Sequence, residues 1–187
     1  MKRLVVGITG ASGIQYGVSI LDQLRETDDV ETHLIITNGA RRVIEAETEL
    51  TYDDVCEKAD VRHNNKDIAA SVASGSYDFD GMVICPCSMK TLGYVANGIA
   101  EGLVPRVADV CLKENRDLLI VPRESPMALT HLENMVRVKE AGAIVAPASP
   151  GFYTQPETIE ELVDRYAAKL LTQFGIETTE MQRWEGE

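Results

Sequence analysis

Short apolar runs alternate with segments of helical periodicity along almost the whole chain. Five runs rich in β-branched residues predict buried strands: Arg3–Ile8, His33–Thr37, Gly81–Cys85, Leu118–Pro122 and Ala143–Pro147. Because these runs have few polar positions, they are typical of parallel strands whose two faces are both covered by helices. The pattern therefore predicts one α/β domain over residues 1–187, with three layers and a central parallel sheet.

The clearest predicted helix lies near the C-terminus, where apolar residues recur three and four positions apart from Ile159 to Phe174. Thr154 and Glu157 have the spacing of a capping box and predict its start, and Gly175 suits the position just after its end. Two further stripes predict helices over Tyr16–Leu24 and, after Ser125-Pro126, over Met127–Ala141.

The charge balance excludes several kinds of partner. The 187 residues include 30 acidic and 18 basic side chains, which gives a formal net charge of −12. Such a charge disfavours general nucleic-acid binding and adsorption to an anionic membrane. The sequence has no apolar run of transmembrane length, and it enters its first strand without a signal-peptide pattern, so we expect a cytoplasmic protein.

The cysteines and histidines do not have the spacing of metal ligands. The residues concerned are Cys56, Cys85, Cys87, Cys111, His33, His63 and His131. Metal ligands usually occur in closely spaced pairs, and disulfides are rare in a reducing compartment. We therefore expect no metal site and no disulfide framework, with Cys56 and Cys111 as small core residues.

Segments rich in glycine, hydroxyl and charged residues follow each predicted strand, at residues 9–13, 37–40, 86–91, 123–126 and 148–153. The carboxyl ends of parallel strands meet at one edge of a sheet, where ligands bind in open α/β folds. The sequence thus predicts one ligand site built from several loops. Thr9 stands where a dinucleotide fingerprint would have its second glycine, so a dinucleotide is not indicated.

Four hydroxyl side chains in these loops, those of Thr9, Ser12, Thr37 and Ser88, could donate hydrogen bonds to a phosphate group beside helix N-termini. Alternatively, Ser12, Thr37 and Ser88 are simple N-caps. Their shared position at one sheet edge favours phosphate binding.

Arg123-Glu124 directly follows an apolar strand, so we expect a partly desolvated charge pair. Glu124 is then a candidate for proton transfer, and a purely structural ion pair is the alternative.

Five segments together resemble one family, the flavin prenyltransferases or UbiX family. They read GITGASG at residues 7–13, CPCSMKTL at 85–92, ADVCLKE at 108–114, VPRE at 121–124 and PGFY at 150–153. The resemblance extends from about Lys2 to Trp184. It implies a Rossmann-like flavoprotein fold, a dodecameric assembly, and transfer of a dimethylallyl group from dimethylallyl phosphate to N5 and C6 of reduced FMN. The product would serve a UbiD-type decarboxylase.

The resemblance also implies the roles of individual residues. The residues expected to bind FMN are Gly10, Ala11, Ser12, Thr37, Ser88, Met89, Lys90, Thr91 and Arg123. Those expected to bind the phosphate of dimethylallyl phosphate are Arg106, Lys113, Tyr153 and Lys169, and those expected to act in catalysis are Glu124, Ser12, Glu47 and Lys113. Trp184 matches an aromatic residue near the site, and the tail from about residue 175 is expected to pack on a neighbouring subunit. No metal is implied.

Two positions depart from the family pattern. Position 169 is often Arg in the family and is Lys here, so the grip on the phosphate would be monodentate rather than forked. Thr154 replaces a frequent His after the Gly-Phe-Tyr string.

The sequence leaves three alternative functions open. A decarboxylase of the cysteine-decarboxylase type would share the fold but would carry a catalytic His early in the chain. A non-catalytic FMN carrier would not need the combination of Lys113, Arg123, Glu124 and Tyr153. The third alternative is direct decarboxylation of aromatic acids.

Overall fold

The computed structural model describes residues 1–181; Gln182–Glu187, and with them Trp184, lie outside the described residues. Within the described part, six strands form one sheet: β1 (Lys2–Ile8), β2 (Val30–Ile36), β3 (Val61–Asn64), β4 (Gly81–Cys87), β5 (Asp117–Pro122) and β6 (Ile144–Val145). All neighbouring strands are parallel, in the order β3-β2-β1-β4-β5-β6. The order reverses between β1 and β4, which leaves a crevice at the carboxyl ends of these strands.

Helices cover both faces of the sheet. They are α1 (Ile14–Arg25), α2 (Asn38–Glu47), α3 (Tyr52–Cys56), α4 (Met89–Ala96), α5 (Leu103–Glu114), α6 (Leu129–Glu140) and α7 (Ile159–Leu171). Strand β1 shows how the layers form, because its side chains alternate between the faces. Leu4, Val6 and Ile8 pack towards α1, α2, α3 and α7, whereas Val5 packs towards α4, α5 and α6. The predicted three-layer α/β architecture with a parallel sheet is therefore confirmed.

Strand β3 is an element that the hydrophobic pattern did not predict. It pairs with β2 at the edge of the sheet, and its residues Val61–Asn64 alternate between half-buried and exposed positions. An edge strand needs only one apolar face, so four residues of which three are polar carry little periodic signal. The loop that follows β3 lines the site described below.

The predicted start of the C-terminal helix was wrong. Helix α7 begins at Ile159, where the Thr158 hydroxyl accepts a hydrogen bond from the Glu161 amide at 3.0 Å. Thr154, the predicted cap, lies in the preceding loop. The chain offers the same Thr-to-Glu spacing twice, four residues apart, and the local sequence does not distinguish the two. Helix α6 likewise begins two residues later than predicted.

The first part of the C-terminal tail packs on its own subunit. Gly175 ends the last helical turn with a left-handed φ of 65°, as its position predicted. Ile176 is then buried in the core beneath α1 and α7, and the Thr178 hydroxyl donates to Gln23 Oε1 at 2.6 Å. Packing on a neighbouring subunit stays a prediction for the residues beyond this point.

The four cysteines are buried free thiols. Burial raises the pKa of Cys85 and Cys87 well above the usual value and that of Cys111 to about 12, so these three remain protonated core residues at neutral pH. In residues 1–181, no group of three or more His, Cys, Asp or Glu side chains is arranged to hold a metal ion. No helix in that part of the chain has the length and hydropathy needed to cross a membrane.

The close packing of α1 on the sheet can be tested at Gly17. A β-carbon at this position would lie 2.5 Å from the Cys85 carbonyl oxygen, which is backbone and cannot move aside. We expect Gly17→Ala to lower the free energy of unfolding by about 1–3 kcal/mol, measured by urea denaturation. In the matched control, Gly93→Ala in α4, the new β-carbon would lie 3.6 Å from Asn134 Nδ2, an ordinary contact. That change should be neutral or stabilising by about 0.5–1 kcal/mol, and equal losses at both positions would contradict the packing.

Candidate active site

A buried threonine joins two of the loops at the carboxyl edge of the sheet. Thr9, which directly follows β1 and is 1% exposed, donates its hydroxyl hydrogen to the Pro86 carbonyl oxygen at 2.8 Å. The same hydroxyl oxygen accepts a hydrogen bond from the Ser88 amide at 2.7 Å. The hydroxyl donor of Thr9 is therefore used within the fold, and the prediction that it donates to a phosphate was wrong.

Thr37 and Ser88 cap the two helices that open onto this edge. The Thr37 hydroxyl accepts from the Ala40 amide at the start of α2, and the Ser88 hydroxyl accepts from the Thr91 amide at the start of α4, both at 3.3 Å. These residues are thus N-caps and also line the cavity described next. The two interpretations of the sequence are compatible here.

A cavity of about 520 Å³ lies between the two caps, within the usual range of about 300–1,000 Å³ for small-molecule sites. We call it the edge cavity; it is lined by Gly10, Thr37, Asn38, Gly39, Asn65, Lys66, Ile68, Ser88, Lys90, Thr91, Tyr94, Glu101, Gly102 and Pro105. It brings together five of the residues predicted to bind FMN, namely Gly10, Thr37, Ser88, Lys90 and Thr91. Of the others, Ala11 is buried next to Gly10, and Met89 packs on the core beneath α4.

The edge cavity is suited to an anion with an extended body. Two helix N-termini open onto it, and each presents amide N–H groups and a positive dipole end. Lys66 and Lys90 add positive charge to its lining. Gly10 and Gly39 let the two loops approach closely, since a β-carbon on Gly10 would lie 3.0 Å from the Gly39 backbone.

Asn65 and Lys66 are lining residues that the sequence analysis missed, because they follow the unpredicted strand β3. Asn65 also organises the site. Its carbonyl oxygen accepts from the Leu103 amide at 2.8 Å, and its Oδ1 accepts from the Val104 amide at 3.2 Å. These contacts cap α5, whose own N-cap residue, Gly102, has no side chain. The run Asn64-Asn65-Lys66, a turn-forming and basic segment, was the available signal.

Glu47, at the end of α2, holds the N-terminus of α1. Its Oε2 accepts hydrogen bonds from the amides of Gly13 at 2.8 Å and Ile14 at 3.3 Å. Burial acts to raise the pKa of this carboxyl, but the hydrogen bonds from the Ser12 side chain and from these amides outweigh it and lower the pKa below the usual value. Glu47 is therefore a fixed carboxylate at neutral pH, and it orients Ser12.

Arg123 and Glu124 lie where β5 ends. The Arg123 amide donates to the Cys87 carbonyl oxygen at 3.2 Å, so this loop is joined to the Ser88 loop. Glu124 is partly buried and accepts from the Ser125 amide at 2.9 Å. The Arg123 side chain is exposed in the single chain, so the expected desolvation applies to Glu124 alone.

The charge of Arg123 reaches two neighbours on α1 and α2. It contributes to the lowered pKa of Glu47. Burial raises the pKa of the Tyr16 phenol, and Arg123 opposes that shift. Ser12, Tyr16, Glu47 and Arg123 thus form one neighbourhood at the carboxyl edge of the sheet.

A second, smaller cavity adjoins this neighbourhood. Its volume is about 40 Å³, and its lining consists of Ser149, Gly151, Tyr153, Leu162, Arg165, Tyr166 and Lys169. Tyr153 and Lys169, both predicted to bind the substrate phosphate, are thereby brought together. The ring of Tyr166 packs edge-on against Tyr16, with ring centroids 5.4 Å apart, and this contact joins the small cavity to the Arg123 neighbourhood. Burial raises the pKa of Tyr166 to about 12, so its hydroxyl stays protonated and donates to the Pro147 carbonyl oxygen.

Arg106 and Lys113 are not brought to these groups within one chain. Arg106 forms an ion pair with Asp109 at 2.6 Å, and Lys113 pairs with Glu114. Lys113 lies ten residues along α5 from its start, about 15 Å from the carboxyl edge at a rise of about 1.5 Å per residue.

The sheet itself separates these residues from the small cavity. Helix α5 packs on one face and α7 on the other. Within one chain, therefore, Arg106 and Lys113 do not meet Tyr153 and Lys169, the other two residues expected to bind the substrate phosphate.

Comparisons with known proteins agree with this architecture. A family model described as Flavoprotein matches residues 1–171. The flavin prenyltransferase UbiX of Escherichia coli K12 is 44% identical over 188 residues, covering 100% of both chains. The crystal structure of AnUbiX (PadA1) in complex with FMN and dimethylallyl pyrophosphate has a TM-score of 0.97, with 42% identity over 100% of this chain and 98% of that chain.

A third relative is a dodecameric FMN-dependent UbiX-like decarboxylase from Escherichia coli O157:H7. Its structure has a TM-score of 0.96, with 47% identity over 98% of this chain and 100% of that chain. The similarity thus covers the loops of the edge cavity, the Arg123 neighbourhood and the small cavity together, within a Rossmann-like flavoprotein fold. This chain belongs to the UbiX flavin prenyltransferases.

Proposed function

We propose that this protein joins the dimethylallyl group of dimethylallyl phosphate to N5 and C6 of reduced FMN. The observation that carries the proposal is the presence of two cavities of different size at the carboxyl end of the sheet. The edge cavity has the volume and the helix N-termini for FMN, and the small cavity with Tyr153 and Lys169 suits a single phosphate group. The full-length similarity to a UbiX structure that holds FMN and dimethylallyl pyrophosphate supports the same assignment.

The residues of the edge cavity fit FMN. Its phosphate would be held at the N-terminus of α4 by Ser88, Lys90 and Thr91. Its flat ring system would lie beside Gly10 and Gly39, where the absence of side chains leaves room for it. Reduced FMN, when bound, supplies the nucleophilic N5 and C6 positions that accept the dimethylallyl group.

Departure of the phosphate is the step that Tyr153 and Lys169 would assist. Negative charge builds up on the leaving phosphate, and a hydroxyl and an ammonium group positioned beside it stabilise that charge. The dimethylallyl group becomes cationic at the same time, and it needs a dry wall with π-electron density. The ring of Tyr166, which lines the small cavity and packs edge-on against Tyr16, would provide such a wall.

Proton transfer would fall to Glu124. Closing a ring at C6 releases a proton, and a partly buried carboxylate at the end of β5 can accept it. Ser12 would assist, held in place by the Glu47 carboxylate. Glu47 itself is better suited to positioning than to proton transfer, because its lowered pKa makes it a weak base.

A homo-oligomer would complete this site. Arg106 and Lys113 are separated from Tyr153 and Lys169 by the sheet, so in this proposal they serve the site of a neighbouring subunit. Helix α6 also exposes an apolar face of Leu129, Leu132 and Val136, with exposures of 70%, 47% and 55%, which another subunit would cover. The dodecameric assembly of one relative supports this arrangement.

The remaining parts of the proposal concern where the protein acts and what receives its product. We propose a cytoplasmic location and a UbiD-type decarboxylase as the recipient.

A decarboxylase of the cysteine-decarboxylase type is disfavoured, because none of the described histidines lines the edge cavity. His33 instead lies buried in β2, bonded to His63 and Glu31.

The reaction can be tested by anaerobic incubation of the protein with reduced FMN and dimethylallyl phosphate. We expect the mass of the bound flavin to increase by one dimethylallyl unit, as measured by mass spectrometry. An FMN carrier would return the flavin with its mass unchanged, and a direct aromatic-acid decarboxylase would release carbon dioxide from such an acid without a partner protein. An unchanged flavin mass would exclude prenyl transfer as the activity.

Glu124→Gln tests the proton acceptor. Loss of the carboxylate should slow formation of the prenylated flavin by about 10²–10⁴-fold, the usual contribution of a positioned acid or base. FMN affinity, measured by titration of flavin fluorescence, should stay the same. Glu133→Gln, an exposed position on α6, is the matched control and should react at the wild-type rate. A Glu124→Gln variant as fast as this control would remove Glu124 from the mechanism.

A mixing experiment tests whether the site is shared between subunits. Lys113→Met and Lys169→Met should each abolish most activity as pure oligomers. Co-expression with two different tags yields mixed oligomers, which should recover about a quarter of the wild-type rate, because random mixing pairs an intact Lys113 with an intact Lys169 at about that frequency. Mixed oligomers that stay as inactive as the single variants would show that both lysines must come from one chain.

A further inference from the structure

We propose that Arg165 is an additional ligand of the substrate phosphate and supplies the forked grip that Lys169 lacks. This inference rests on the proposed function and concerns a residue outside the set that the family resemblance implies. It makes Arg165 the residue that sets the affinity for the phosphate group in this protein.

The placement of Arg165 gives the first argument. Arg165 and Lys169 are four residues apart on α7, so they lie one above the other on the same face of the helix. Both line the small cavity together with Tyr153. Only 15% of the Arg165 side chain is exposed, whereas Lys169 is an exposed residue. The guanidinium is therefore the more enclosed of the two cations at this cavity.

The contacts of Arg165 hold it in a defined position. One Nη donates to the Thr154 carbonyl oxygen at 2.6 Å, and the other pairs with Glu161. A guanidinium has five N–H donors, so these two contacts leave further donors beside the cavity. Glu161 balances part of the charge in the absence of phosphate and restricts the side chain, which lowers the entropy cost of binding a ligand.

The hydroxyl group of Thr154 independently indicates a polar ligand beside Arg165. Its hydroxyl oxygen is buried and has no hydrogen-bond partner among the described residues. Such a group costs free energy unless something satisfies it. The hydroxyl belongs to the residue directly after Tyr153, and the carbonyl of the same residue is bound to Arg165. A phosphate bound in this corner would bring the acceptor oxygens that the hydroxyl lacks.

The ammonium group of Lys169 and the guanidinium group of Arg165 bind a phosphate in different ways. An ammonium group is a point charge, whereas a guanidinium binds two phosphate oxygens at once with parallel hydrogen bonds. In this protein the guanidinium at the small cavity comes from Arg165, one helical turn before Lys169. The Thr154 carbonyl binds this guanidinium, and the hydroxyl of the same residue is the buried group without a partner.

The test measures binding without turnover. Dimethylallyl phosphate is titrated by calorimetry into the oligomer loaded with oxidised FMN, which cannot accept the dimethylallyl group. Arg165→Gln should weaken binding by about 10- to 100-fold, the usual range for a hydrogen bond to a charged group, with FMN affinity unchanged. Arg165→Lys keeps the charge and should recover part of this loss. The double variant Arg165→Gln/Lys169→Arg places a guanidinium at position 169 of the same cavity and should bind within about threefold of wild type.

A purely structural role for Arg165 predicts different results. If Arg165 only anchors the loop through Thr154, then Lys169→Arg does not rescue the Arg165→Gln variant, because a guanidinium at position 169 does not replace the contact with the Thr154 carbonyl. Absence of rescue, or unchanged binding in Arg165→Gln, overturns the proposal. Because the titration involves no chemistry, it decides the role of Arg165 even if the protein fails to prenylate FMN. No binding of dimethylallyl phosphate by the wild-type protein would overturn the proposal outright.

Discussion

The carboxyl edge of the sheet depends on the buried hydroxyl of Thr9. It donates to the Pro86 carbonyl and accepts from the Ser88 amide, so it fixes the start of α4 against the end of β1. The Pro86 carbonyl is buried and Ser88 is half-buried, so leaving these groups unpaired would cost free energy. The Arg123 loop is joined to the same segment through Cys87. Three loops therefore keep one relative position, and the N-terminus of α4 faces the edge cavity without a dedicated binding loop.

The attraction of this site for anions arises from the orientation of helix dipoles and from local charges rather than from the net charge of the chain. The chain carries −12 overall, yet two helix N-termini and two lysines converge on one cavity. Fixed dipoles and hydrogen-bonded groups act at short range, where water does not screen them well. Glu47 shows the same principle within the protein, because the amides at the N-terminus of α1 and the Ser12 side chain lower the pKa of this carboxyl although burial acts to raise it.

The three-layer fold also limits what a single chain can assemble. Helices α5 and α7 lie on opposite faces of the sheet, and no side chain can reach across it. Lys113 of α5 and the cations of α7 therefore do not meet within one chain. Within α7, by contrast, Arg165 and Lys169 are neighbours by helical geometry alone. In the proposed phosphate site, oligomer assembly would bring in Lys113, whereas helix geometry alone places Arg165 beside Lys169.

The sequence by itself determined the layers, five of the six described strands and the edge of the sheet that carries the site. Each of these depends on which residues are buried, and burial produces a periodic pattern of apolar residues along the chain. The family resemblance added residue roles. Tertiary structure alone decided the rest. Strand β3 is held by backbone pairing that polar side chains do not reveal, and with it came Asn65 and Lys66. The start of α7 and the partners of Arg165 and Lys113 depend on which distant segments pack together. Periodicity reports that a residue is buried or exposed, whereas contacts across the fold decide what it meets.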